Sequence, residues 1–127
     1  MSCQIPASYL KVKDGVHDFS KYLLENIPEF QEVQKAKQAL LQNPEALKLW
    51  DDIQERRNTI ELLSTQGLPV TQETQEGLSI VLKEMNSNSV AMRYLRALNA
   101  AENITSRIYS LLGQEIGAEY VTQGSCC

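Results

Sequence analysis

The sequence predicts an all-α protein, a helical bundle built on a long antiparallel helical hairpin with shorter helices flanking it. Three observations point there. Leu, Gln, Glu, Ala and Lys dominate the middle of the chain, and these are strong helix formers. Aromatic residues make up only 6% of the 127, and with little β-branching there is scant material for strands. Apolar residues recur at alternating three- and four-residue spacings, the signature of one helix face, between breaks marked by Pro, Gly or Asn.

Residues 1–13 carry Pro6 and no clear amphipathic period, so they are expected to form an N-terminal lead-in. A first helix should start near Asp14, with Val16, Phe19, Leu23 and Ile27 on one face until Pro28 interrupts it. Pro28 suits the first turn of a second helix, where its missing N–H costs nothing, and Glu29 and Glu32 favour that positive end. This helix should run to about Leu41, with Phe30, Val33, Ala36 or Lys37, and Leu40 or Leu41 as its apolar stripe.

Asn43-Pro44-Glu45 is the strongest helix-start signal: Asn43 as the cap, Pro44 at the first helical position, Glu45 against the dipole. Ala46, Trp50, Ile53, Arg57 and Ile60 continue the spacing, and all but Arg57 can share a buried seam. Gly67-Leu68-Pro69 should end this helix, the glycine adopting a left-handed turn and the proline forbidding continuation. Thr71 is a candidate cap for a shorter helix through about Met85, with Leu78, Val81, Leu82 and Met85 facing inward. The polar run Asn86 to Ser89 reads as a turn and a cap. A last long helix should then reach Glu115, its seam formed by Ala91, Tyr94, Leu98, Ala101, Thr105, Ile108 and Leu112.

Two long seams can pack as an antiparallel hairpin at about 20°. Apolar residues off the seams (Leu47, Leu49, Leu62, Leu63, Leu95, Ile104 and Leu111) exceed what one hairpin covers, which predicts a homo-oligomer, a dimer or higher. The alternative is that they cover the short helices. Trp50, Ile53, Ile60, Tyr94, Leu98 and Ile108 are the candidate interface residues. Residues 14–116 then form one helical domain and residues 117–127 a flexible tail ending in cysteines.

Sixteen acidic against twelve basic residues give a net charge of −4, so the molecule as a whole repels a phosphate backbone and no direct nucleic-acid binding is expected. Arg56-Arg57, Arg93, Arg96 and Arg107 are the basic concentrations, and links to neighbouring glutamates are their expected use. No apolar run approaches the ~18–20 residues of a membrane span, and the first ten residues lack a basic segment followed by an apolar one. The expected location is the cytoplasm.

Cys3, Cys126 and Cys127 lie at the two ends, which is not the pattern of a disulfide framework. A [4Fe–4S] cluster needs four thiolates and a structural zinc four ligands. One chain offers only the adjacent Cys126 and Cys127, with Cys3 and the single histidine, His17, elsewhere. These two tail cysteines are the candidate metal ligands, completed by a second protomer or a partner; free thiols are the alternative. A terminal Cys-Cys after Gly-Ser also resembles a double-prenylation ending, but no phosphate-binding loop accompanies it. Asn103-Ile104-Thr105 fits a glycosylation sequon, but it falls within the expected last helix and no secretory signal is expected, so a chance match is the expected reading. The carboxylates of Asp51, Asp52 and Glu55, or of Glu73 and Glu76, have the helical spacing of a solvated face. No nucleophile stands with a base and no cofactor loop is present, so catalysis is not expected.

The order of elements carries a resemblance. An N-terminal helix is followed by PEFQEVQKAKQALLQNPEALKLWDDIQ, the turn QGLPVT, a variable helix and NSVAMRYLRALNAAENITSRI. This arrangement, from about Val16 to Ile116, is similar to the YlbF/YmcA family of bacterial regulators, which includes YheA-like members. The resemblance implies an all-helical, usually oligomeric protein without enzymatic activity. It implies partners as well: YlbF and YmcA join YaaT in a complex that acts on RNase Y and steers messenger RNA processing, with effects on competence, sporulation and biofilm formation. Members of that complex carry iron–sulfur clusters through cysteines near their C-termini, which gives the alternative reading of Cys126 and Cys127 as ligands of a cluster shared with a partner in a redox sensor. Two adjacent cysteines depart from the longer cysteine-rich tail of the YlbF branch.

Overall fold

Five helices follow one another in the computed structural model, which describes residues 9–117: α1 (Leu10–Asn26), α2 (Pro28–Gln42), α3 (Pro44–Thr65), α4 (Gln72–Asn86) and α5 (Ser89–Glu115). No strand occurs among the described residues, and the all-α class expected from composition and periodicity is what the chain adopts.

The breaks between helices are built by local chemistry. Ile27 takes an extended conformation (φ −111°, ψ 111°) ahead of Pro28, as the residue before a proline should. Asn43 caps α3: its Oδ1 accepts from the Ala46 N–H at 3.0 Å, with Pro44 next. The C-terminus of α3 closes in a Schellman turn. Gly67 sits at φ +70°, its N–H donates to Ser64 O at 3.1 Å, and the Leu68 N–H donates to Leu63 O at 2.8 Å. Thr71 Oγ1 caps α4 through the Thr74 N–H, and Asn88 Oδ1 caps α5 by accepting from the N–H groups of both Val90 and Ala91.

One boundary differs from expectation. α1 begins at Leu10, a full turn before Asp14. Tyr9 and Val12 extend the apolar spacing of Val16 and Phe19 upstream, and Leu10, Lys11 and Lys13 are good helix formers, so propensity carries the helix past the acidic residue that looked like its start.

The chain divides into two compact units, Glu32–Leu98 and the combination of Met1–Gln31 with Asn99–Cys127. In Glu32–Leu98, Leu40, Ala46, Ile53, Val81, Met85 and Ala91 form the buried cluster, drawn from four helices. Ile53 is the largest wholly buried side chain at 1% exposure, and such burial is worth about 1.5–3 kcal/mol. Trp50, Leu78, Leu82, Tyr94 and Leu95 pack around this cluster while staying half-buried. α3 and α4 lie side by side and run antiparallel. Arg56, midway along α3, meets Gly77, and Glu45 at the start of α3 shares a groove with Ser87 just past the end of α4.

In the second unit, of which residues 9–31 and 99–117 are described, α1 buries none of its residues and Ala101 is the one buried hydrophobic residue in Asn99–Gly117.

Candidate functional site

The interface candidates read from the sequence fall into different environments. Ile53 is inside the core of its own chain. Trp50 and Tyr94 meet edge to face, with ring centroids 4.7 Å apart and planes at 63°, and join α3 to the first turns of α5. Both rings remain half-buried, as do Ile60, Leu98 and Ile108.

The most exposed apolar surface lies on α1 and at the end of α5. Tyr9, Val12, Val16 and Phe19 are spaced three, four and three apart, and Val12, Val16 and Phe19 are 59%, 58% and 48% exposed. Half-buried Leu23 continues the same line. On α5, exposed Tyr109 and Leu112, with Ile116 just beyond the helix, repeat the pattern over the last turns, beside exposed Leu111. Each is a heptad-spaced seam open to solvent, a geometry that helices use to pair with another helix. Tyr9 and Val12 escaped the sequence reading because the first thirteen residues were read as lacking a period; their spacing to Val16 was the available signal.

Polar side chains make two ion pairs among the described residues. Arg93 grips Glu32 through two hydrogen bonds, Nε at 2.6 Å and Nη2 at 3.2 Å, tying α5 to α2. The guanidinium's hydrogen bond holds the Glu32 carboxyl below its usual range, and the Arg93 pKa rises in turn. Arg56 Nε donates to Asp52 Oδ1 at 2.9 Å one turn back on α3. Of the five arginines expected to meet acidic neighbours, Arg56 and Arg93 do so. Arg57, Arg96 and Arg107 are exposed.

Between α3 and α4 runs a groove of about 720 Å³. One wall carries Glu45, Lys48, Leu49, Asp52 and Arg56; the other carries Gly77, Ile80, Val81, Glu84 and Ser87. Two smaller depressions adjoin it at Asp52 and add Asp51, Glu55 and Glu73. Asp51, Asp52, Glu55 and Glu73, read from spacing as a solvated face, therefore line surface depressions. Ile80 was not singled out by the sequence reading; an isoleucine out of phase with inward-facing Val81 and Met85 was the signal that could have found it.

His17 is exposed on α1. Among the described residues no group of three or more His, Cys, Asp or Glu side chains is placed to hold a metal ion. Cys126 and Cys127 lie outside the described residues. No described helix is long and apolar enough to cross a membrane.

Compared with known proteins, the chain matches neither a curated protein nor a solved structure. A family does match, over residues 16–117, and its description is control of competence regulator ComK, YlbF/YmcA. That span takes in the open seam of α1 from Val16 onward, α2, the capped helices α3 and α4, and all of α5. The chain therefore belongs to the YlbF/YmcA family of regulators that control competence.

Proposed function

We propose that this protein is a non-enzymatic regulatory adaptor of the cytoplasm that self-associates and holds protein partners, a complex of the RNase Y and YaaT type among them. By that route it influences messenger RNA processing and, through it, competence, sporulation or biofilm formation. The observation that carries this reading is the open seam of Tyr9, Val12, Val16 and Phe19 on a helix none of whose residues is fully buried. Each large apolar side chain moved from water into a contact is worth about 1.5–3 kcal/mol, and a monomer leaves that contribution unused. Monomeric proteins rarely expose apolar stripes that are both contiguous and heptad-spaced.

Sedimentation equilibrium and native mass spectrometry of the full chain test it. Wild type should be a dimer or larger, and Val16→Glu with Phe19→Glu should shift the mass toward the monomer while far-UV circular dichroism keeps its helical form. Purified RNase Y and a YaaT-type protein should then co-elute with wild type and not with the double variant. A wild type that stays monomeric at high concentration and binds neither protein refutes the reading.

A further inference from the structure

We infer that the α3–α4 groove docks a basic, amphipathic helical segment of a protein partner. The walls have the geometry a helix fills. Gly77, Ile80, Glu84 and Ser87 follow one another at three- and four-residue spacing along α4, and Glu45, Lys48 or Leu49, Asp52 and Arg56 do the same along α3. From Glu45 to Arg56 the α3 wall is ~16 Å long, the length of three turns of an incoming helix. Ile80 lines this groove at 59% exposure, with the half-buried Leu49 and the buried Val81 beside it. An apolar side chain of the partner seated on Ile80 would cover it.

Charge selects the occupant. The groove and its two adjoining depressions together present six carboxylates, of Glu45, Asp51, Asp52, Glu55, Glu73 and Glu84, against the cations of Lys48 and Arg56. Arg56 is already held by Asp52 and lies across Gly77, where any Cβ would stand 2.5 Å from its Nη1. Its charge is thus directed within the wall, and Lys48 is flanked along α3 by Glu45, Asp51 and Asp52. Lys and Arg side chains at the edges of a docked helix would meet carboxylates on both walls. A nucleic-acid strand would be repelled by the same groups. This surface lies within residues 44–87 and does not depend on self-association through α1.

The test uses the full chain, labelled with ¹⁵N, and a synthetic helical peptide of about 18 residues, long enough to span the wall. The peptide carries Leu at three- and four-residue spacing and Lys or Arg on the flanks; a control peptide replaces the cations with Glu. The basic peptide should bind saturably, perturb amides in 45–56 and 77–87, and weaken as salt is raised, while the acidic control should not bind. Ile80→Asn should weaken binding about 10-fold, as loss of a central apolar anchor does. The double variant Glu45→Gln, Glu84→Gln should weaken it ~3- to 10-fold and decides the matter if Ile80→Asn loses its helical circular dichroism. Val16→Glu and Glu61→Gln should bind as wild type does. The inference is overturned by the absence of saturable binding below about 1 mM, by perturbations elsewhere on the chain, by indifference to the groove variants, or by a single-stranded RNA that occupies the groove more tightly than the peptide.

Discussion

Gly77→Ala should stabilise the protein, although an alanine there meets an atom already in place. Gly77 is the sixth residue of α4, inside the helix. Glycine in such a position is less favourable than alanine by about 0.5–1 kcal/mol, chiefly because the unfolded chain loses more freedom. Against this stands a clash: the new Cβ would be 2.5 Å from Arg56 Nη1 and 3.6 Å from Arg56 Cζ, and nothing else lies within 4 Å. The atom that must yield is the far end of a flexible side chain, so the α3–α4 backbones need not move apart. What is put at risk is the bond from Arg56 to Asp52. That is an i,i+4 pair with side chains 39% and 40% exposed, and solvent screening leaves such pairs about 0.2–0.5 kcal/mol.

The balance is a gain of ~0.5 kcal/mol. With a urea m-value of about 1–3 kcal/mol/M, the unfolding midpoint should rise by ~0.2–0.5 M. Protein concentration must be matched between variants, because any self-association would add to apparent stability. Arg56→Ala supplies the control: in that background nothing opposes the new methyl group, and Gly77→Ala should gain the full ~1 kcal/mol. A loss of more than about 1 kcal/mol in the wild-type background would refute the reasoning, since it would mean that α4 approaches α3 by backbone and not through a movable guanidinium.

Ile53→Ala should cost about 2–5 kcal/mol by leaving a cavity at the most deeply buried large side chain, a sizeable share of a small domain's total, and thermal unfolding followed by circular dichroism at 222 nm reads it. Asn43→Ala and Asn88→Ala should each cost ~1 kcal/mol, measured by urea unfolding, because each removes the acceptor for helix N–H groups that have no other partner. The Glu32–Arg93 pair should show in the pH dependence. Because the folded-state pKa of Glu32 is lowered, its contribution is complete above the unfolded carboxylate pKa and is lost as pH falls through the lowered folded value. The stability difference between wild type and Arg93→Gln should therefore be present at neutral pH and vanish in acid; a difference that persists in acid would assign Arg93 another role.

The readable parts of this fold are those whose partners lie a few residues away. Asn43, Thr71 and Asn88 cap helices through N–H groups two or three positions on, and Gly67 closes its turn within the preceding four residues. Such bonds depend on local backbone geometry, which residue type announces. The start of α1 escaped because it carries no such signal: Tyr9 makes no side-chain cap bond and the first turn holds no acid. Long-range pairings are harder. Arg93 meets Glu32 across 61 positions, and the sequence predicted only that the arginines would find acids. Ile80 and Arg56 become parts of one groove only once the register of α4 against α3 is set.

The open seams pose a different problem. Spacing alone makes the lines of α1, α3 and α5 look equivalent, since each repeats apolar residues at threes and fours. Side-chain size separates them. Five of the buried residues are Ala36, Ala46, Ala91, Ala97 and Ala101, and small residues let helices of one chain approach closely and close a contact. α1 has no alanine, and its line is built from Tyr9, Val12, Val16 and Phe19, with Tyr22 exposed beside it. Bulky side chains at every seam position hold a neighbouring helix farther off and leave a ridge that a second surface can clasp, the pattern of interface anchors. By that criterion Trp50 of α3 and Tyr94 of α5 pack against a cluster that includes the small Ala46 and Ala91, whereas the line of α1 has no small residue among its positions and Tyr9, Val12, Val16 and Phe19 stay open to solvent.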